Sequence, residues 1–212
     1  MRNPLLTPIM IEKYAKRLVV RLKQPSLSGI VLTGSFARGE AGPYSDLDIW
    51  CFYKELPSKS PCLPELTGIS LDLREVSLQE FSEMADGSRE YVAPCFEQLN
   101  VYGDTPFVLP SRTKIKRGLV SLLQSIDTRL QQCMPPINHY ELLNDIMYAL
   151  RIEQFIKTSQ YPLTLSELYA IQFEESDRFL VECYSSFLFG ERHKSEDEIH
   201  SGIHLFMEKR LE

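Results

Sequence analysis

The sequence predicts an α+β protein in which a mixed-sheet N-terminal domain is followed by an all-helical C-terminal domain. Two observations lead to this prediction. Up to about residue 104, short apolar runs alternate with glycine, proline and serine, which is the pattern of strands joined by turns. From Ser111 onward, apolar side chains recur every three or four residues, as on the buried face of a helix. We therefore expect two domains, over residues 1–108 and 109–212.

The N-terminal half begins with an amphipathic helix over residues 8–24, whose apolar positions follow helical spacing until Pro25. Ser77 is expected to begin a second helix, because Glu80 at its third position completes a capping box. Residues 88–109 show a mixed pattern, in which a last short strand with a turn is predicted at residues 99–104. Strands are predicted at residues 29–33, 46–53, 69–76 and 99–104.

The C-terminal half contains five segments with helical periodicity. Pro135 and Pro136 separate the first segment from the second, and polar residues separate the others. Helices are predicted at residues 112–133, 138–159, 164–171, 174–189 and 195–211.

The bulk composition excludes several classes of protein. The chain of 212 residues carries a formal net charge of -6, which argues against nonspecific binding to nucleic acid. Apolar runs are too short for a membrane-spanning helix, and the N-terminus lacks the features of a signal peptide. The five cysteines form no CxxC pair, so neither a zinc-cysteine site nor a disulfide framework is expected. A cytoplasmic protein with reduced thiols is the expectation.

The most informative stretch is GIVLTGSFARGEAGPYSDLDIW, residues 29–50. An apolar strand ends at Gly34 and Ser35, where a glycine lets the backbone approach a phosphate group closely. A second strand then carries Asp46 and Asp48, and side chains two residues apart in a strand point to the same face. Two carboxylates on one face are suitable ligands for a hard cation such as Mg²⁺. The stretch therefore predicts a phosphate cradle beside a metal site.

A third carboxylate, Asp72, lies between Leu71 and Leu73 in the next predicted strand. Taken alone, each of these residues is more often an ordinary turn or a solvated surface group. Carboxylates held close together repel each other unless a cation lies between them. The combination of Asp46, Asp48 and Asp72 with the glycine turn therefore favours a cation-binding site.

The run GSFARGEAGPYSDLDIW resembles the signature of the nucleotidyltransferase superfamily typified by DNA polymerase beta. Within that superfamily it is most similar to the small bacterial branch that includes kanamycin nucleotidyltransferase and the minimal nucleotidyltransferases. The resemblance implies that Asp46, Asp48 and Asp72 are catalytic and hold two Mg²⁺ ions. It also implies that four residues contact the nucleotide, ATP or another nucleoside triphosphate: Gly34, Ser35, Arg38 and Ser45.

The implied reaction is transfer of a nucleoside monophosphate, with AMP from ATP expected first, to a hydroxyl of a small molecule, with release of pyrophosphate. An aminoglycoside-like compound is the first candidate acceptor, and a homodimer is consistent with the resemblance. In antibiotic-modifying members a carboxylate of the helical half can act as general base. Glu141, Asp145 and Glu153 are candidates here, and we expect Asp145 first because apolar neighbours can bury its helix.

Two alternatives remain open at this stage. One is a regulatory, antitoxin-type nucleotidyltransferase that modifies or caps a protein partner, although such chains are usually shorter. The other is a protein that keeps the fold without turnover, which the complete motif argues against. Separately, His200 and His204 have the spacing of two metal ligands on one helix, but no third ligand accompanies them in the sequence, which favours a surface pair.

Overall fold

The computed structural model describes residues 8–42, 45–59, 69–84, 87–131, 138–191 and 194–211. The chain divides into two compact units. The first contains residues 1–85 and 93–109, and the second contains residues 86–92 and 110–212. The first unit contains the sheet and the second is helical, which confirms the predicted α+β class. The sequence also predicts a surface loop at residues 55–67, rich in proline and serine, and from residue 60 onward this loop lies outside the described residues.

The sheet has four strands in the order β3-β2-β1-β4. Strand β1 pairs antiparallel with both β2 and β4, whereas β2 pairs parallel with β3, so the sheet is mixed as predicted. The parallel pairing requires a long connection between β2 and β3. The strands are β1 at Leu27–Thr33, β2 at Leu47–Tyr53, β3 at Leu71–Ser77 and β4 at Gln98–Gly103.

Within the described residues, four helices are interspersed with the strands along this part of the chain. Helix α3 begins after Ser77, whose side chain accepts a hydrogen bond from the backbone of Glu80, so the predicted capping box is confirmed. Helix α4 was not predicted, because it is short and contains Pro94, which a helix interior normally excludes. The helices are α1 at Pro8–Leu22, α2 at Gly34–Ala37, α3 at Leu78–Glu83 and α4 at Arg89–Phe96.

Both faces of the sheet are covered, which explains why β2 is apolar along most of its length. Ile49 and Cys51 point to the face that α1 covers, where Leu18 is fully buried. Trp50 and Phe52 point to the opposite face, as successive side chains of a strand must. There they form a cluster with two further aromatic rings, from Phe81 and Phe107, with centroids 5.0 to 5.9 Å apart.

The second unit is built around α6, which is buried along most of its length. Its ends follow standard capping chemistry: the side chain of Asn138 accepts a hydrogen bond from the backbone of Glu141, and Ser159 ends the helix in the left-handed conformation. The five predicted helices are confirmed, with ends differing by one to two residues where both ends are described. They are α5 at Arg112–Gln131, α6 at His139–Thr158, α7 at Leu165–Tyr169, α8 at Glu175–Phe189 and α9 at Glu196–Leu211.

Charged residues also stabilise the helical unit from within. The guanidinium of Arg210 on α9 donates hydrogen bonds to Glu153 at 2.6 and 3.0 Å and to Asp177 at 2.7 and 3.2 Å. All three side chains are largely buried, so each needs the others to compensate its lost hydration. Glu153, one of the candidate bases, is therefore part of a structural ion-pair network. No helix in the described ranges is long and apolar enough to cross a membrane.

Candidate functional site

The turn between β1 and α2 depends on Gly34. Its φ angle is +70°, in the left-handed region that favours glycine. A Cβ atom added at Gly34 would lie only 2.2 Å from Oδ2 of Asp48, so even alanine would collide with this carboxylate. The absence of a side chain thus brings the first turn of α2 directly against Asp48. Thr33, which precedes that turn, does not cap it with its side chain, so this hydroxyl leaves the first backbone N–H groups of α2 to other acceptors.

The sheet brings together carboxylates that are distant in the sequence. Asp48 pairs in register with Thr33 on one side and with Asp72 on the other, in three neighbouring strands. Asp46 lies one residue before β2 and is exposed, whereas Asp48 is partly buried. The predicted strand at 46–53 thus begins one residue later than expected, and the three carboxylates lie at one edge of the sheet.

The electrostatics of Asp48 show how crowded this edge is. Burial, the neighbouring charge of Asp46 and then that of Asp72 raise the pKa of Asp48 from 3.8 to about 7. The positive charges of Arg74 and Arg38 oppose this rise but do not cancel it. A proton or a cation is therefore needed to compensate this carboxylate at neutral pH.

The donor set fits magnesium in its chemistry, because all three candidate ligands offer carboxylate oxygens beside a phosphate-sized turn. Among the described residues, no three His, Cys, Asp or Glu side chains already surround one point at metal-binding distances. The side chain of Asp72 is 41% exposed, and Nε of Arg74 lies 3.5 Å from its Oδ2. Mutual repulsion of the carboxylates is the force that a bound cation would remove.

Arg38, expected at the nucleotide, is held by two carboxylates. Its Nε donates to Glu40 at 3.1 Å, and its Nη1 donates to Glu97. The side chains of Arg38 and Glu97 are only 7% and 6% exposed, so this is a buried ion pair. This ion pair links Arg38, directly after α2, to Glu97, directly before β4. A phosphate group would have to compete with these two carboxylates for the guanidinium.

The two serines of the motif occupy different environments. Ser35 lies in the first turn of α2 and is half-buried. Ser45 is buried, and its hydroxyl accepts a hydrogen bond from the backbone N–H of Gly42 at 2.9 Å. The backbone N–H of Ser45 donates to the carbonyl of Gly42 at 3.1 Å. Ser45 is therefore fixed to Gly42 by two hydrogen bonds, directly before Asp46 and the start of β2.

Asp145 lies in the helical unit, on the buried face of α6. Its two carboxylate oxygens each accept a hydrogen bond from an arginine, Oδ1 from Arg89 and Oδ2 from Arg129. Arg89 also stacks over the ring of Tyr148 at 5.9 Å. The Asp145 side chain is thus buried, and each of its two oxygens already accepts a hydrogen bond within an ion pair. Glu141, the remaining candidate, is exposed at the start of α6.

A match to a known protein family identifies the domain that contains the Gly34 turn and the carboxylates. The family model for the nucleotidyltransferase domain matches residues 11–119, which is half of the chain and contains all four strands and the glycine turn. The chain belongs to the nucleotidyltransferase domain family. It is accordingly a nucleotidyltransferase enzyme, as the motif at residues 34–50 predicted.

A solved structure has a fold similar to that of this chain. A spectinomycin adenyltransferase from Enterococcus faecialis, solved with ATP and spectinomycin, is 14% identical, with a TM-score of 0.62 over 98% of this chain and 100% of that one. At this identity the similarity shows a shared fold. A nucleotidyltransferase-like protein from Exiguobacterium sibiricum is 14% identical over 95% of this chain and 76% of its own, with a TM-score of 0.36.

A toxin-antitoxin complex with AMP-PNP is 18% identical over 57% of this chain and 93% of its own, with a TM-score of 0.28. No protein of curated function matches the sequence.

Two residues of this nucleotidyltransferase site were not singled out from the sequence. Glu97 lies between Phe96 and Gln98, where neither strand nor helix periodicity marks it, yet it pairs with Arg38. Arg74 follows Asp72 by two residues on β3, and its guanidinium stacks over the Trp50 ring at 5.2 Å. The alternation of β3, which places residues 72 and 74 on one face, was the available signal for Arg74.

Proposed function

We propose that this nucleotidyltransferase transfers AMP from ATP to a hydroxyl group of a small molecule and releases pyrophosphate. The observation that carries the proposal is the crowded carboxylate edge formed by Asp46, Asp48 and Asp72 beside the Gly34 turn. Such an edge attracts cations, and the turn admits a phosphate chain next to it. A triphosphate bound with its metal ions meets both requirements.

Each residue of the edge has a proposed role. Asp46 and Asp48 hold the metal ions, and Asp72 shares one of them. When bound, Mg²⁺ neutralises charge on the triphosphate and stabilises the attacking and leaving oxygens. Gly34 and Ser35 hold the terminal phosphates through the start of α2, and Ser45 keeps the carboxylate strand in place. These residues work mainly by positioning and by charge compensation.

The proposed reaction needs no reactant besides ATP and the acceptor. The acceptor hydroxyl attacks the α-phosphorus, a new oxygen–phosphorus bond forms, and the bond to the β-phosphate oxygen breaks. The proton of the hydroxyl passes to a carboxylate, and we propose Asp72, which pairs in register with Asp48 and has a side chain that is 41% exposed. Asp145 is the second proposed base, but it would first have to release at least one of the two arginines on its oxygens.

A cationic, polyhydroxylated acceptor such as an aminoglycoside fits this protein best. The formal net charge of -6 favours the approach of a cation. The adenyltransferase of the same fold was solved with spectinomycin, an acceptor of this general kind. We also propose that the enzyme works as a homodimer in the cytoplasm, where thiols such as those of Cys51 and Cys183, which form no disulfide, stay reduced.

The test follows label from α-labelled ATP with Mg²⁺ into a panel of aminoglycosides, spectinomycin included, and into a lysate of the source cells. The inactive variant is Asp46→Asn with Asp48→Asn. Asp104→Asn, an exposed carboxylate of the same unit, is the matched control and should transfer label normally. Label on a small molecule with the chain and with Asp104→Asn, but not with the double variant, is the expected result.

Other outcomes contradict the proposal in distinct ways. Label on a single protein band would replace the small-molecule reaction with the regulatory, antitoxin-type one. Label transfer that persists in the double variant would remove Asp46 and Asp48 from the catalytic role. Failure of any acceptor to take label, with other nucleotides also tried, would contradict the proposed reaction as a whole.

A further inference from the structure

The fold gathers three histidines in the helical unit. His200 and His204 lie one turn apart on α9, and their Nε2 atoms are 3.0 Å from each other. Their ring centroids are 4.6 Å apart. His139, the first residue of α6, meets the His200 ring edge-on, with a centroid distance of 6.3 Å. The sequence suggested only the pair on α9, and the packing of α6 brings the third histidine to it.

His139 has an unsatisfied polar atom. Its Nε2 is buried and has no hydrogen-bond partner among the described residues. A buried polar nitrogen without a partner costs about 1–3 kcal/mol, so native structures usually supply one. An atom of this kind beside two converging imidazoles indicates that something else satisfies it when the protein is at work.

The distance within the α9 pair suits a shared metal ion. Zinc binds imidazole nitrogen at about 2.0–2.1 Å, so a tetrahedral site places two such nitrogens roughly 3.3 Å apart. The observed 3.0 Å is that of a hydrogen bond between the two rings, and a bound ion would replace this bond with only a slightly longer spacing. Burial, and then the charges of His204 and His139, lower the pKa of His200, while Asp197 opposes this. A lowered pKa keeps the imidazole neutral, and the neutral form is the one that binds metal.

We propose that these three histidines form a binding site for a borderline divalent metal ion such as Zn²⁺. His200 and His204 chelate the ion from their present positions, and His139 becomes the third ligand when its ring turns towards them. No three ligands within the described ranges surround one point as they stand, so the turn of His139 is a necessary part of the proposal. Imidazole is a good ligand for zinc and a poor one for magnesium, so this site differs in chemistry from the carboxylate edge.

A bound ion would join the first turn of α6 to α9 within the helical unit. Ligands that bind only the folded state raise its stability. The expected consequence is a metal-dependent rise in the unfolding temperature that does not require nucleotide.

The test is calorimetric titration of Zn²⁺ into the full chain, together with thermal unfolding. All samples carry Asp46→Asn and Asp48→Asn, so that zinc on those carboxylates does not contribute. Three further variants are compared: His200→Ala with His204→Ala, His139→Ala, and Glu208→Ala. Glu208→Ala is the control, because it removes an exposed carboxylate one turn from His204 on the same helix. Circular dichroism of each metal-free variant establishes that it is folded.

We expect one zinc ion per chain in the parent and in Glu208→Ala, and no such binding in the double histidine variant. His139→Ala should bind about tenfold or more weakly, since even supporting contacts to a metal site change affinity by that factor. The rise in unfolding temperature should be lost with the binding. Zinc binding that survives in the double histidine variant would overturn the site, and parent-like affinity in His139→Ala would overturn the three-ligand arrangement.

Discussion

At the scale of single residues, Asp48 connects the geometry of the site to its chemistry. It is partly buried, contacts the Gly34 turn, and pairs in register with Asp72. Its neighbours include two carboxylates, so the folded protein holds negative charge at a place where burial reduces its hydration. A site of this kind is destabilising until its proper partner binds, which is a common property of functional sites.

This leads to a prediction on pH. Because the pKa of Asp48 rises from 3.8 to about 7 on folding, the folded state binds its proton more tightly than the unfolded state does. Stability therefore falls as pH rises through this interval, by at most about 4 kcal/mol for a three-unit shift. Urea unfolding in EDTA at pH 5 and pH 8 measures the fall. Asp48→Asn should flatten it and be the more stable protein at pH 8, and an equally steep fall in Asp48→Asn would contradict the assignment.

The buried pair of Arg38 and Glu97 gives a second prediction. Removing one partner leaves a buried charge without compensation, which typically costs about 3–5 kcal/mol. We expect Arg38→Met and Glu97→Gln each to lower the free energy of unfolding, and the double variant to lose less than the sum of the two. A double-mutant cycle by urea unfolding measures the difference, and strict additivity would exclude the coupling.

The same variants separate the two possible roles of Arg38. If Arg38 only fixes the turn, Glu97→Gln and Arg38→Met should weaken ATP binding to a similar degree. If it pairs with phosphate, Arg38→Met should weaken ATP binding strongly, whereas Glu97→Gln, which removes one of the two carboxylates that compete with phosphate, should not. Calorimetry with ATP and Mg²⁺ distinguishes these results.

At the scale of elements, the junction between β1 and α2 is tightly constrained. Gly34 and Gly39 both have left-handed φ angles, +70° and +72°. They differ in space, because a Cβ at Gly34 would collide with Asp48, whereas nothing lies within 4 Å of a Cβ at Gly39. An alanine at either position would therefore strain the backbone, but only an alanine at position 34 would also collide with Asp48. Gly39 is thus a matched control for Gly34.

We predict that Gly34→Ala abolishes nucleotidyl transfer, because it displaces Asp48 in addition to straining the turn. Gly39→Ala should lose only about 1–2 kcal/mol of stability, from the left-handed strain, and should retain most of its activity. Activity with ATP and Mg²⁺, measured beside urea unfolding, checks both variants. Equal activity in the two variants would mean that close approach of Asp48 to residue 34 is unimportant.

At the scale of the whole molecule, each unit has a hydrophobic core of its own. Ile30 is fully buried in the core of the sheet unit, and Leu143 is fully buried in that of the helical unit. Each core lies within one of the two compact parts of the chain. Compact units with separate cores are able to unfold separately.

Core truncations should consequently act within their own units. Ile30→Ala and Leu143→Ala each remove apolar contacts and should cost about 2–5 kcal/mol. Hydrogen-exchange mass spectrometry is expected to show faster exchange in the sheet peptides for Ile30→Ala and in the α5, α6 and α9 peptides for Leu143→Ala. If either change accelerated exchange equally throughout the chain, the protein would unfold as one cooperative unit.

The sequence by itself determined the features that depend on local spacing. The end of a strand at the Gly34 turn and the position of Asp48 on the next strand could be predicted, because turn and strand geometry act over a few residues; Asp46 falls one residue before that strand. The five C-terminal helices and the Ser77 capping box followed from periodicity and capping chemistry in the same way. Helix α4 escaped prediction because Pro94 opposes local helix formation and tertiary packing overrides that preference.

Only the tertiary structure decided which distant side chains meet. The parallel pairing places Asp72 beside Asp48, the end of α4 brings Glu97 to Arg38, and two arginines close on Asp145. The approach of His139 to the α9 pair is of the same kind. These contacts join residues far apart in the chain, and they form because the surrounding apolar groups are buried together. Burial is a property of the assembled fold, whereas spacing is a property of the chain.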